Sequence, residues 1–407
     1  ITVQGGGTYA YEHFGMSYEK PYKGLKIVDL SQGIAGPYCG MLLAQYGADV
    51  IKVEPLDGDW SRILGKLYGD HSAFSIAGNL GKRSIALDLK TDAGRKVVEA
   101  LIDEADVFME GFRPGVIDRL GFGYEAVSKR NPGIIYLSIS GFGQTGPLAH
   151  KPAMDPVLQA FSGFMIENKG QDGIPHRTNP IVVDMSTALY CFQAVSAALY
   201  AKRDEPEGRF IDASLMAAAA NLQVVRMMAV YLEKGEMRTP SAPSGTFPTA
   251  DGYIQTVVLH DRDFKPFCEA LDLPDLGADP RFQARDDRVA NGDYLGRVIS
   301  KAFLQHPNAV WRERLTAAGL QNEAVQDYFE FLKHPHVQAT GVVSWLNHSG
   351  MPEPIPVPNP PGAEVLLDGM AAAHAPHLGE HTADVLAALG FGADEIEAWR
   401  SAGAIKG

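Results

Sequence analysis

From residue 25 to residue 140 the chain alternates short runs of β-branched and apolar residues with longer stretches whose apolar positions recur every three or four residues. The runs Leu25–Leu30, Asp49–Glu54, Ser84–Leu89, Asp106–Glu110 and Ile134–Ile139 predict strands. Between them, a helix through Met41, Leu42, Leu43 and Tyr46 stops at Gly47, a second spans Asp92–Glu104, and a shorter one follows. Strand, helix, strand within about 30 residues is a βαβ unit with a right-handed crossover. Its repetition predicts an α/β fold with a mostly parallel sheet.

The pattern changes at Ile181-Val182-Val183-Asp184. A β-branched run ends in a carboxylate, and the spacing of Leu189, Phe192, Val195, Ala198 and Leu199 predicts a helix over Met185–Arg203. Asp184 then stands where a strand-like segment hands over to a helix. Two roles fit: an N-cap that accepts backbone N–H bonds, or a carboxylate kept ionised by the helix N-terminus to act as a nucleophile.

Beyond a polar break at Glu205–Gly208, Arg209–Glu233 is expected to hold a second Ala- and Met-rich helix, with Met227 and Met228 as core filler. Arg238–Gly245 predicts a linker, and Thr246–Val258 a hairpin turning at Asp251-Gly252. Helices near Asp263–Leu271, Tyr294–Gln305 and Ala309–Ala318 make a smaller α+β lobe. Pro352–Pro361 is a second linker or an extended return path, before helices at Thr382–Leu389 and Asp394–Ser401. The expected organisation is an N-terminal extension at 1–22, a large α/β domain over 23–237, a small domain over 238–345, and a return segment with helices over 346–407 that pack on the large domain. The Gly-rich stretch Ile1–Gly15, which has no signal-peptide layout and no initiator Met, is expected to be in part foreign to the native protein.

Composition narrows the function. With 36 basic and 49 acidic residues the net charge is −13, which argues against nucleic acid as a partner. An apolar run of the ~18–20 residues that a membrane span needs is not evident. Cys39, Cys191 and Cys268 form neither a disulfide framework nor a zinc pattern, so a reducing, cytoplasmic setting is expected, with no metal and no tightly bound cofactor. Gly141-Phe142-Gly143-Gln144-Thr145-Gly146 matches G-x-G-x-x-G in form, but Pro147 follows it and no amphipathic helix opens there. It is expected to line a cleft or to turn the chain.

Several segments together resemble the class III coenzyme A transferases, the superfamily of formyl-CoA and carnitine-CoA transferases and 2-methylacyl-CoA racemases. They are Gly24–Leu30, Gly36-Pro37, Gly47–Glu54, Asn79, Lys82–Lys90, Ala105–Val107, Phe112–Gly115, Ser138–Gly143, Ala250–Tyr253, Pro280–Phe282 and Leu378–Thr382. The resemblance spans about Lys23 to Ile405. It implies a Rossmann-like large domain plus a smaller α+β domain, in a homodimer of two ring-like subunits threaded through each other. It implies acyl-CoA and a small carboxylic acid as substrates, with Asp184 as the nucleophile of an aspartyl mixed anhydride and an aspartyl-CoA thioester. It also implies Gly33, Ile34 and Ala35 as the oxyanion loop, and Leu87, Lys90, Gly111, Phe112, Arg113 and Arg119 near bound CoA. Pro55 and Pro152 stand where basic residues are common in such enzymes, with Arg62 and Lys151 as candidate replacements. The racemases use a His-Asp pair at Met154-Asp155; Met154 is no base at neutral pH, which ranks transfer above α-proton exchange. His150 would replace that histidine only through an unusual loop. A CoA-binding protein without turnover, with Asp184 only a cap, is the remaining alternative. The long Gly-rich loop of formyl-CoA transferases is not evident near Ser244-Gly245, which disfavours formyl/oxalate specificity; the donor and the acceptor acid are otherwise not legible.

Overall fold

The computed structural model describes residues 20–170, 172–235 and 240–407. Residues 1–19 of the extension, and Arg238 and Thr239 of the expected linker, lie outside them. The described chain forms two compact units, residues up to Val224 with Pro335–Gly407, and Val225–His334. The boundaries expected at 238 and 345 lie further along the chain.

The large unit is built on a seven-stranded sheet: β1 (Lys26–Asp29), β2 (Asp49–Glu54), β3 (Arg83–Leu87), β4 (Val107–Glu110), β5 (Ile135–Ser140), β6 (Arg209–Ser214) and β12 (Ile405–Lys406). Their order is β12-β3-β2-β1-β4-β5-β6. All neighbours are parallel except β12, which runs antiparallel along β3. Side chains alternate across the strands. Ile27, Val107, Met109, Leu137 and Ile139 therefore join one core with the helices Ala35–Gln45 and Val182–Ala201. Val28, Phe108 and Tyr136 join a second core with the helix Asp92–Glu104 and the C-terminal helices Thr382–Ala388 and Ala393–Ser401. Both faces are covered, which is why β1 to β5 are almost wholly buried and mostly apolar, interrupted by buried polar residues such as Asp29, Lys52 and Glu110.

Three expectations are corrected. Ile181–Val183 is not a strand: the helix begins at Val182, and Asp184 is its third residue with no capping bond from its own side chain. Arg209–Ser214, within the stretch expected to hold a helix, is the edge-forming strand β6; its residues alternate in exposure, as those of a half-buried strand do. The helices that follow are Leu215–Leu222 and Val224–Leu232, and the second has no buried residue, so Met227 and Met228 are exposed rather than core filler.

The helix Val182–Ala201 is long and apolar enough to cross a membrane, contrary to the sequence expectation. Asp184 is the single charged residue among its 20. In the fold it is a core helix, seated through Val183, Ala188, Cys191, Val195 and Ala198. The Pro-rich return holds a strand, β11 (Ile355–Pro358), paired antiparallel with β10 (Val343–Leu346).

The small unit carries the expected hairpin, β7 (Ser244–Pro248) and β8 (Tyr253–Val257), extended by β9 (Gln321–Ala324). Its core is aromatic: Phe264, Phe267, Phe282, Phe303 and Trp311 are buried together. Trp311 donates its indole N–H to the Phe303 carbonyl at 2.7 Å, which satisfies the one polar atom of that ring.

Candidate active site

Strand order reverses between β1 and β4, since β2 and β3 lie to one side and β5 and β6 to the other. Crevices outside the carboxyl ends of strands at such a switch point are where open α/β sheets bind ligands. Here a cavity of about 400 Å³ opens there, lined by Leu30 and Ser31 after β1, Gly111–Arg113 after β4, and Ile139–Gly141 at the end of β5. Asp184, Met154, Ala153, Trp60 and Leu215 complete the wall. The sequence-predicted Ile34, Ala35, Gly111, Phe112, Arg113, Met154 and Asp184 are thus brought together. The glycine stretch at 141–146 turns the chain, and Gly141 lines the cleft.

The cap expected of Asp184 is supplied by Asp155. Its Oδ2 accepts the amides of Val183 at 2.7 Å and Asp184 at 3.2 Å, and its Oδ1 accepts from Gln159 at 2.6 Å. Gln159 in turn accepts the Thr178 amide at 2.9 Å. Asp155 is thereby buried, fully engaged and held at the helix start. Asp184 is left free of capping, in the first turn of the helix and facing the cavity. Burial, and then the negative charge of Asp155, push its carboxyl up to about 7. Both effects act against the ionisation expected from the helix N-terminus.

The facing wall is the turn Ser31–Gly36 and the first turn of the helix Ala35–Gln45. First-turn amides have no carbonyl four residues back, so Ala35 and Gly36 present N–H groups without intrahelical partners. Gly33 is different. Its amide donates to both oxygens of Asp59, at 3.0 and 3.2 Å, so it is already engaged rather than open to the cavity. Gly33 is still required as glycine, because its φ is +84° and a Cβ would lie 2.1 Å from the Trp60 ring.

Buried charges fix this turn from below. Lys82 Nζ lies 2.8 Å from Asp29 and donates to the Pro37 carbonyl at 2.7 Å. Lys52 Nζ lies 3.0 Å from Asp59 and bonds the Ser31 carbonyl. The Ser31 amide and hydroxyl both donate to Asp29. The charged side chains of this network are buried and paired, as buried ions must be. On the β4 side, buried Glu110 accepts the Phe112 amide at 2.8 Å and the Ser138 hydroxyl, and burial pushes its carboxyl up to about 7. Asp59, Trp60, Glu110 and Gln159 were not singled out from sequence; each acts through a partner distant in the chain, which local patterns do not show.

The remaining predicted residues are outside the cavity. Leu87 is 1% exposed, inside the second core, with β12 beside it. Lys90 and Arg119 are exposed, and Lys90 follows β3. Arg62 does not replace a CoA contact: it is buried and donates to both Glu54 oxygens, at 2.7 and 2.8 Å, and to the Pro376 carbonyl. Lys151 is exposed above the Phe142 ring and remains available. No histidine lines the cavity, so a second base for α-proton exchange is not found among its described residues.

The fold and the site define an α/β protein with a ligand crevice at the switch point of its sheet. The chain belongs to CoA-transferase family III, whose signature matches residues 22–382. It is 37% identical over 331 residues to the acetyl-CoA:oxalate CoA-transferase of Acetobacter aceti, covering 79% of this chain and 85% of that protein. It is 32% identical over 379 residues to the human succinyl-CoA:glutarate CoA-transferase, covering 91% and 86%. Among solved structures, a CAIB/BAIF family protein from Brucella suis superposes with a TM-score of 0.80 at 31% identity, covering 91% of this chain and 99% of that one. The protein is a CoA-transferase, acting on acyl-CoA and a carboxylic acid.

Proposed function

We propose that the chain moves CoA from an acyl-CoA thioester to a small dicarboxylic acid, with Asp184 as nucleophile. The observation that carries this is the Asp184 carboxyl, uncapped and facing the switch-point cavity that the first-turn amides of Ala35 and Gly36 share. The carboxylate oxygen attacks the thioester carbonyl, and the CoA thiolate leaves, giving a mixed anhydride. The thiolate attacks the aspartyl carbonyl of that anhydride, and the donor acid leaves as its carboxylate, giving an aspartyl-CoA thioester. An acceptor carboxylate attacks this thioester and again expels CoA thiolate. The thiolate then attacks the acceptor's acyl carbon and regenerates Asp184. Each tetrahedral oxyanion needs donors aimed at it, which the amides of Ile34, Ala35 and Gly36 are placed to supply.

A dicarboxylate is favoured because two similar enzymes are named for oxalate and for glutarate, and because Arg113 puts a guanidinium at the cavity wall. CoA extends from the cavity across the carboxyl ends of β1, β2 and β3, with the exposed Lys90, Arg119 and Lys151 available to its phosphates. The interlocked homodimer is part of the same reading. It is supported by apolar side chains left open in each unit, Phe161, Leu189 and Tyr200 in the large one, and Val225, Met228, Tyr231 and Leu232 in the small one. The three buried, unpaired cysteines suit a cytoplasmic enzyme.

The test is a matrix of acetyl-, succinyl- and glutaryl-CoA against C2 to C5 mono- and dicarboxylic acids, with product acyl-CoA read by mass. Turnover with dicarboxylates that is absent in Asp184→Asn is the expected result. Turnover confined to monocarboxylic acids would remove the substrate assignment, and full activity in Asp184→Asn would remove the mechanism.

A further inference from the structure

Four histidines of the large unit gather away from the cavity. The ring of His71 lies 4.7 Å from that of His348 and 4.6 Å from that of His377, and His348 stacks on His374 at 5.8 Å. Asp70 sits among them. Its Oδ1 is 2.6 Å from His377 Nδ1 and 3.7 Å from His71 Nε2. One ligand atom from each of Asp70, His71 and His377 falls within 4.8 Å of the other two. His71 is 1% exposed, yet neither ring nitrogen has a hydrogen-bond partner among the described residues. An imidazole buried with both nitrogens idle is an expensive arrangement that calls for something to bond it.

We propose that Asp70, His71 and His377 form a binding site for a divalent metal ion of the zinc type. Two imidazoles and one carboxylate are a common borderline-soft donor set for zinc, with a fourth position left for water. Tetrahedral bonds of about 2.0–2.1 Å put ligand atoms about 3.3 Å apart. Asp70 Oδ1 and His71 Nε2 need close by only a few tenths of an ångström, while the Asp70–His377 hydrogen bond opens to admit the ion. The neutral His377 ring then carries its proton on Nε2, where the Ser349 hydroxyl stands 3.1 Å away to accept it. This is the outer bond that usually orients a metal-bound imidazole. Asp70 Oδ2 keeps its own partners, the Leu378 amide at 2.8 Å and Arg62 at 3.4 Å, which leaves Oδ1 for the metal.

The ion is a clip and takes no part in acyl transfer, since Asp184 is not among its ligands. It joins Asp70–His71 to His377, across 307 positions of sequence between Asp70 and His377. Arg62, already bonded to Asp70, belongs to the turn Trp60–Ile63 whose Trp60 lines the cavity. Metal loading therefore stiffens one wall of the site.

The experiment uses the untagged full chain, stripped with a chelator and then dialysed against zinc, with metal counted by mass spectrometry and unfolding followed by temperature. About one zinc per chain and a rise in Tm of several degrees are expected. Cobalt in its place should give visible ligand-field bands of a four- or five-coordinate nitrogen and oxygen site. His377→Gln, at a half-exposed position, should fold and lose at least tenfold in affinity, and His71→Ala should lose uptake altogether. No stoichiometric uptake by the unaltered chain, or uptake unchanged in both variants, would overturn the site. CoA-transfer activity does not enter this readout, so its outcome is separate from the nucleophile assignment.

Discussion

Asp155 receives two helix amides and a glutamine, whereas Asp184, at the start of the same helix, has burial around it and the charge of Asp155 beside it. Environment thus gives two like carboxylates opposite tasks, one fixed as a cap and one kept reactive. The sign of the shift makes a prediction. A carboxyl raised from 3.8 to about 7 adds stability that is complete below the lower value and is lost as pH rises through the upper one. Asp184→Asn has no such loss, so it should be more stable than the unaltered chain at pH 8, by roughly 1–4 kcal/mol. The gap should shrink below pH 7 and close near pH 4, as measured by chemical unfolding. For the active enzyme, kcat/KM should rise with pH along an acid limb centred near 7, because only the ionised form attacks. A limb near 4 would mean that the carboxyl is not raised. The local sequence marked Asp184 as chemically special, but it could not show who caps the helix. That answer needs Asp155, 29 residues earlier, to fold back against it.

In the proposed mechanism the turn Ser31–Gly36 faces Asp184 across the cavity and supplies the oxyanion donors. It is held by buried ion pairs and by glycines that admit neighbours where a side chain would collide. A Cβ on Gly36 would fall 2.2 Å from the Ser31 hydroxyl oxygen. Gly36→Ala should therefore displace the turn, lower kcat/KM at least tenfold, and cost about 1–3 kcal/mol of stability by overpacking. Steady-state kinetics and a thermal melt on the same preparation check it; unchanged kcat/KM would show that the turn does not position reacting atoms. Elements with strong local signals were legible in the sequence. The strand Asp49–Glu54 and the helix Asp92–Glu104 fall at the expected residues, the helix set by Thr91, whose hydroxyl accepts the Gly94 amide at 3.0 Å. Strand β6 was hidden because its polar and apolar residues do not alternate and it runs straight into an alanine-rich helix. The same β-branched propensity made Ile181–Val183 look like a strand, where tertiary capping draws it into a helix.

At the scale of the molecule, the sheet order places the carboxyl ends of β1, β4 and β5 around one crevice, and the long core helix delivers Asp184 to it. The alternation of strand and helix made this architecture readable; the ends of the sheet were not, since β12 comes from the last residues of the chain to cover β3. That cover also buries the Leu87 side chain. The apolar faces on both units lead to a further expectation: light scattering on the native protein should give twice the 43.9 kDa of one chain, and a monomer that retains full activity would contradict the dimer.

The most direct test of the account is to catch the aspartyl thioester. The enzyme is incubated with succinyl-CoA without an acceptor acid, quenched with hydroxylamine, and the peptide containing Asp184 is weighed. The account predicts a hydroxamate on Asp184 that forms only with acyl-CoA present and disappears when an acceptor acid is added first. An unmodified Asp184 peptide after incubation with succinyl-CoA alone, from a preparation that transfers CoA once an acceptor is supplied, would contradict it.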